Sequence, residues 1–310
     1  MRAVVTADYG SAPAVTEVET PHAGPGEVRV RIRSSSLNGF DTAMYLGYLK
    51  GMMEHRFPAV LGRDFAGTVD QVGEGVTAFA SGDDVFGVVL TQPLNAGGFA
   101  EYLVVPEDHY IARIPAGLDH ATAGVLGLAG AAATGVLEAT APREGEHVLV
   151  SGATGGVGAI ALQMLAARGA VTIATAATDT EVAHVRQYGA THVVDHTGDL
   201  AAQVRAIAPD GVDVVLHLAG DPNALSDLLV PGGRLATLLG VVPERAAERG
   251  ITVSSVIANP HGALLTELAT AAAGGRLRVP VQRSYALEDV PSAFADFASG
   301  TIGKLAVRID

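Results

Sequence analysis

The sequence predicts an α/β protein in which a doubly wound parallel sheet is joined to a second, β-rich domain. Three observations predict it. From about Ala121 onward, short apolar strands alternate with helical stretches. Before that, the chain is a run of short strands broken by Gly, Pro and Asp. Between the two regimes stands "VLVSGATGGVG", Val148 to Gly158, with glycines at 152, 155 and 158 directly after an apolar run. A chain of 310 residues, 48% of them hydrophobic, has material for two cores.

In order, "RAVVTA" reads as a strand. "EVRVRIRSSSLN" alternates Val28, Val30 and Ile32 with Arg29, Arg31 and Arg33, the period of two of a half-buried strand. "FAGTVDQVG", "DDVFGVV" and "FAEYLVVP" follow as further strands of a barrel or sandwich. Val148–Ser151 opens the second regime. A helix runs over Gly156–Arg168 and ends at Gly169, and a strand covers Val171–Thr175. A helix over Glu181–Tyr188 stops at Gly189, "HVVD" is a strand, and Leu200–Ile207 is a helix. "VDVVLHL" and "GGRLATLLG" are two more strands, and "ITVSSVI" is a sixth. Strands alternating with helices imply parallel pairing. The tail, "VPVQRSYALEDVPSAFADFASGTIGKLAVRI", holds two strands around a short helix and returns to the N-terminal domain. There is no internal repeat.

Charge and composition exclude several classes. A formal charge of −13, from 33 acidic and 20 basic side chains, argues against a nucleic-acid partner. With no cysteine, disulfides, thiolate metal sites and cysteine nucleophiles are ruled out. "MRAVVTADYG" carries no signal-type apolar core. The apolar run Ala121 to Ala141 contains Glu138 and ends at Pro142, so it reads as a buried segment of a soluble, cytoplasmic protein with no membrane role.

Each glycine of the turn has a task in a dinucleotide-binding fold. The first permits the tight turn, the second the approach of a pyrophosphate, and the third the packing of helix on sheet. The pyrophosphate then sits on free N–H groups at the helix N-terminus. Gly152, Gly155, Gly156, Val157 and Gly158 are the residues expected to hold it. The spacing is GxxGxxG rather than GxGxxG, and the strand–helix context carries the assignment. An acidic residue at the end of the second strand would bind the ribose 2′-hydroxyl of NAD. "IATAAT", Ile173 to Thr178, has none. Thr178 and Glu181 read as a helix capping box, which makes Asp179 first-turn decoration. The expected cofactor is therefore NADPH, with NAD(H) second, and Thr175 and Thr178 offer hydroxyls to it. No Lys or Arg lies at 173–180.

"GEHVLVSGATGGVGAIALQMLAARGA" resembles the zinc-independent quinone oxidoreductases, the zeta-crystallin-like branch of the medium-chain dehydrogenase/reductase superfamily. "GPGEVRVRIRSSSLNGFD", "FPAVLGRDFAGTVDQVGEGVTAFASGDDVFG", "GGFAEYLVVP", "LAGAAATGVLEA" and "GKLAVRI" resemble family blocks in family order. The resemblance implies a Rossmann doubly wound domain, 113–275, inserted in a GroES-like β-barrel domain made of 1–112 and 276–310. It implies hydride transfer from NADPH to a quinone or an α,β-unsaturated carbonyl. In zinc-dependent relatives a Cys stands at the position of Asn38 and a His-Glu pair at Arg63-Asp64. Only eight residues, Val89 to Ala96, separate "DDVFGV" from "GGFAEY", too few for their structural-zinc lobe. The ten histidines are scattered, so no zinc is expected. A quinone or enone is already electrophilic and accepts hydride without a Lewis acid.

The resemblance points to Asn38, Tyr45, Tyr48 and Arg63 as catalytic candidates. Asn38 either hydrogen-bonds near the nicotinamide ribose or a substrate oxygen, or caps a helix over Asp41–Tyr48. Tyr45 and Tyr48 either donate a proton, stack on a quinone, or pack as ordinary aromatics. Arg63 orients a carbonyl, contacts phosphate, or pairs with Asp64. Thr134 and Lys304 match family positions near the cofactor; the alternatives are a back-bonded helix threonine and a surface lysine. Leu218, Ala219, Gly240 and Val241 follow strand ends, where doubly wound sheets bind ligands. "YLGYLKGMMEHRF" is the least family-like stretch; Met52, Met53, His55 and Phe57 form an adaptable apolar wall or merely fill a loop. Two other readings stay open: an enoyl-thioester reductase, and an NADPH-binding protein with a structural or regulatory role. "ITVSSVI" reads as an edge strand, and a homodimer would cover it.

Overall fold

A computed structural model describes all 310 residues. The chain forms two compact units, one of Met1–Ala129 with Pro260–Asp310 and one of Gly130–Asn259. The first contains β1 (Arg2–Thr6), β2 (Ala14–Glu17), β3 (Glu27–Leu37), α1 (Gly39–Tyr45), β4 (Ala59–Val60), β5 (Asp64–Val72), β6 (Asp84–Val88), β7 (Tyr102–Pro106), β8 (Ile111–Arg113) and α2 (His120–Ala123). Helix α3 (Gly127–Thr140) starts there and ends in the second unit. The second unit continues with β9 (His147–Ser151), α4 (Gly156–Ala167), β10 (Val171–Thr175), α5 (Asp179–Gln187), β11 (His192–Val194), α6 (Leu200–Ile207), β12 (Val212–His217), α7 (Pro222–Ser226), β13 (Leu229–Thr237) and β14 (Thr252–Ser255). The chain returns to the first unit as α8 (Gly262–Ala273), β15 (Val281–Ala286), α9 (Val290–Ala298) and β16 (Lys304–Arg308).

Strand β3 organises the first unit. Its alternation buries Val28, Val30 and Ile32 completely or nearly so, in a core shared with Phe65, Phe99 and Leu305. Its N-terminal half pairs with β7 and its C-terminal half with β16, both antiparallel, while β5 lines its other edge. The tail thus rejoins the N-terminal strands, as its pattern suggested. The unit boundaries lie at 129/130 and 259/260, not at 112/113 and 275/276. The reason is packing: α2 lies against β3 and β5, and α8 against β8, so both belong with the barrel-like unit.

In the second unit all six strands are parallel, in the order β11-β10-β9-β12-β13-β14. This is the doubly wound order, with its switch point between β9 and β12. Gly169 and Gly189, read as helix stops, take φ of +71° and +104° just beyond α4 and α5. Edge strand β14 pairs on one side only, with β13. The apolar run at 121–141 is α2, α3 and their connection, and no helix is long and apolar enough to cross a membrane.

Candidate functional site

The glycine turn leaves β9 at the switch point. Gly152 takes φ +82°, a conformation L side chains rarely adopt, and its N–H donates to Thr175 Oγ1 at 3.1 Å. Gly158 stands in the first turn of α4. A Cβ there would lie 2.5 Å from the Gly152 carbonyl oxygen and 2.6 Å from Ala153 Cα, so only glycine lets the helix approach the turn. Gly155 is the N-cap, and a Cβ on it would meet nothing nearer than 3.7 Å. The first N–H groups of α4 are thus left beside an open backbone surface. Leu218 and Ala219, which follow β12, line the same turn; their Cβ atoms come within 3.1 Å of the position a Cβ on Gly152 would take. Ser151 Oγ donates to the Ala219 carbonyl at 2.6 Å, tying the two strand ends together.

Thr175 differs from its expected role. It is buried, and its hydroxyl accepts from Gly152 N–H and donates to the Val150 carbonyl, so it braces the turn from beneath. Thr178 is exposed at the N-cap of α5, where its Oγ1 accepts from Glu181 N–H at 3.3 Å. The Glu181 carboxylate folds back to accept from the Ala177 and Thr178 N–H groups at 2.7 and 3.0 Å. Thr134 Oγ1 is buried on α3 without a partner. It is not back-bonded, unlike Thr140, whose hydroxyl donates to the Val136 carbonyl at 2.7 Å. An orphaned hydroxyl in this unit, an uncapped helix start and a turn that excludes Cβ together fit a dinucleotide. Gly240 and Val241 lie exposed beyond β13, making no polar contact with the turn.

Sequence reasoning passed over His217, a lone polar residue in the apolar "VDVVLHL". It is fully buried at the end of β12. Its Nε2 faces the Gly220 carbonyl at 3.0 Å and its Nδ1 faces Thr237 Oγ1 at 2.9 Å. Thr237 Oγ1 also accepts from Leu239 N–H, so the chain of donors assigns Nε2 as the protonated nitrogen. His217 therefore locks together the ends of β12 and β13.

The first unit gathers a second set. Asn38, Asp41, Arg63, Asp64 and Lys304 are all buried. Asp64 Oδ2 accepts from Ser36 Oγ at 2.5 Å and Asn38 Nδ2 at 2.8 Å, with Lys304 Nζ 3.6 Å away. Its Oδ1 accepts from Leu128 N–H at 2.8 Å. Lys304 donates to Asn38 Oδ1 at 2.5 Å and to the Leu37 carbonyl at 3.0 Å, so it is a buried structural cation and not a surface lysine. Burial pulls its pKa down, against the opposing pull of Asp64 and Asp41. Asn38 is the N-cap of α1, and its second amide proton goes to the Ser36 carbonyl at 3.2 Å. With both N–H donors taken and Oδ1 already accepting once, Asn38 has only one lone pair to offer.

Arg63 requires correction as a catalytic candidate. Its side chain is wholly enclosed, donates to the carbonyls of Val60, Val89 and Ala96, and lies 3.7 Å from Asp41 rather than pairing with Asp64. It stitches loops together. Tyr45 packs edge-on against Phe294, with ring centroids 5.1 Å apart, as part of the core boundary. Tyr48 is 71% exposed. The expected apolar wall divides: Met53 and Phe57 pack on the core, His55 meets the Tyr9 ring edge-on, and Met52 is 72% exposed.

Asp41 accepts from the Asn38 and Gly62 N–H groups at 2.9 and 3.1 Å. Burial raises its pKa to about 6, with Arg63 opposing. A carboxyl whose folded pKa lies above its unfolded 3.8 contributes stability that is present below pH 3.8 and lost as pH rises through about 6. The span corresponds to roughly 3 kcal/mol at most. Asp41→Asn is accordingly expected to remove a downward component from the stability profile between pH 4 and 6. Urea midpoints across that range check it: parallel wild-type and variant profiles would refute the assignment.

Residues 24–116 match the alcohol dehydrogenase GroES-like domain model, and residues 188–307 match the zinc-binding dehydrogenase model. The chain belongs to the medium-chain dehydrogenase/reductase superfamily. A quinone oxidoreductase of Lama guanicoe is 29% identical over 330 residues, covering 100% of this chain and 98% of that one. A mycocerosic acid synthase-like polyketide synthase of Mycolicibacterium smegmatis is 32% identical over 310 residues, 92% of this chain but 14% of that protein. The solved quinone oxidoreductase of Pseudomonas syringae superposes with TM-score 0.88 at 27% identity, covering 99% of each chain. This superfamily member is an oxidoreductase built on a nicotinamide-cofactor fold. Its first unit corresponds to the GroES-like domain and its second to the Rossmann domain. The zinc of the matched model does not suit the donor set here. The chain has no thiol, Asp64 is already engaged on both oxygens, and Lys304 supplies a built-in cation.

Proposed function

We propose that this protein is a zinc-independent reductase that passes hydride from a nicotinamide dinucleotide to a quinone or an α,β-unsaturated carbonyl. The glycine turn carries the reading, because Gly152 and Gly158 let α4 start tight against the turn and Gly155 leaves the helix N-terminus open to a pyrophosphate. When bound, the reduced nicotinamide supplies the hydride. The protein's part is to hold and orient. Gly156 and Val157 present backbone N–H groups while the Gly155 N–H closes the turn on the Gly152 carbonyl, Thr134 offers its free hydroxyl, and Leu218 and Ala219 wall the turn. Asn38, held by Asp64 and Lys304, accepts a hydrogen bond from a hydroxyl, as on a ribose. It has no proton left for a carbonyl oxygen. Water is the proton donor for the product. NADH and NADPH deliver the same hydride, so the reading holds for either.

An enoyl-thioester substrate is the second reading, favoured by the match over 92% of the chain to a polyketide synthase segment. The names of the relatives support the quinone reading. A homodimer joined through the free edge of β14 fits the 82%-exposed Ile257 beside it, and a monomeric mass in solution would reject it.

Turnover with NADH and NADPH against naphthoquinones, enones and enoyl thioesters tests the function. The expected result is dinucleotide oxidation with a quinone or enone, unchanged by phenanthroline. Tight dinucleotide binding without oxidation by any acceptor would overturn it.

A further inference from the structure

The end of β10 separates NADH from NADPH. In a doubly wound sheet the pyrophosphate lies at the first strand's turn and the adenosine ribose reaches toward the end of the second strand. Here the first strand's turn is held against the second strand's last residue by the Gly152–Thr175 hydrogen bond. Three residues further on, Thr178 caps α5, and Glu181 in its first turn folds back. Its Oε2 accepts from both Ala177 and Thr178, so the carboxylate is fixed in the connection that leaves β10, two and three residues past Thr175, and Oε1 is left to accept another hydrogen bond.

We infer that Glu181 is a cofactor-specificity residue that accepts the 2′-hydroxyl of NAD(H) and repels the 2′-phosphate of NADP(H). The inference rests on the dinucleotide reading of the glycine turn. The absence of a carboxylate from Ile173–Thr178 had favoured NADPH; the fold supplies one from the next helical turn. Partial burial pushes the Glu181 carboxyl up, but the two N–H groups, the neighbouring His196 and the Thr178 hydroxyl outweigh it and hold it below the usual range. It is a full negative charge at neutral pH. A hydroxyl can donate to that charge, whereas a phosphate dianion has no proton to give and meets repulsion. Nothing at 173–180 offsets this, since the segment has no Lys or Arg and adds exposed Asp179.

The test measures dissociation constants of NADH and NADPH, and of ADP against adenosine 2′,5′-bisphosphate, for wild type and Glu181→Gln. The amide oxygen of Gln keeps an acceptor for the capping N–H groups while removing the charge. Wild type should bind NADH at least about tenfold tighter than NADPH, a gap that narrows with added salt. Glu181→Gln should bring the two within about threefold. A wild type that prefers NADPH, or a ratio unmoved by Glu181→Gln, would overturn the inference while leaving the reductase reading intact. Failure of both dinucleotides to bind wild type would overturn the two together.

Discussion

Asp64→Ala is expected to destabilise the GroES-like unit by about 3–5 kcal/mol. The carboxylate is completely buried and receives Ser36, Asn38 and the Leu128 N–H, with the Lys304 ammonium beside it. Removing it strands a desolvated cation and three donors at once. The cost is dominated by what is left unpaired, so the effects are not additive. Lys304→Met added to Asp64→Ala should recover part of the loss, because the buried charge departs with its partner. Six of the seven tyrosines lie in the first unit, and the chain has no tryptophan. Denaturation followed by tyrosine fluorescence therefore reads this unit. A loss under about 1 kcal/mol for Asp64→Ala would mean that the cluster is solvated and not a buried network.

Gly158→Val is expected to abolish dinucleotide binding, lowering affinity about 100-fold or more, and to strain the Rossmann unit by about 1–3 kcal/mol. Its Cβ would fall inside contact distance of the Gly152 carbonyl and the Ala153 backbone, none of which is a flexible side-chain end. Helix α4 would have to move away from the turn that aims it. Gly155→Ala is the informative partner, because its Cβ has room in the protein itself. The fold should survive that change while binding weakens, since the added methyl occupies the surface where a pyrophosphate would rest. Fluorescence of bound reduced nicotinamide reads the affinity, and circular dichroism reads the fold. Unaltered binding by Gly155→Ala would place the pyrophosphate elsewhere.

Local chemistry made much of this legible before any coordinates. Helix α6 spans Leu200–Ile207 as its pattern indicated, and the capping box of Thr178 and Glu181 forms as spaced. Both rest on contacts within four residues, where spacing and geometry are the same information. Other residues misled for the opposite reason. Arg63 was expected to orient a carbonyl, contact phosphate or pair with Asp64, yet its partners are carbonyls at 60, 89 and 96, two of them about thirty residues away in sequence. Glu181 was recognised as a cap, but its second bond, from the Ala177 N–H, reaches back into the connection from β10. The domain limits shifted because α2 and α8 are held by packing on the barrel-like unit, not by a change of rhythm in the chain.

By itself the sequence determined the alternation that makes a parallel doubly wound sheet, the glycine turn at its first strand, and the return of the tail. These follow from periodicity and from the conformations open to glycine, which are properties of a few consecutive residues. Only the tertiary structure decided that Lys304 meets Asn38 and Asp64 from the far end of the chain, and that Arg63 is sealed in. Those outcomes depend on burial and on partners brought together across the chain. Desolvation makes each buried charge choose its neighbour, and only the folded packing says which neighbour is there.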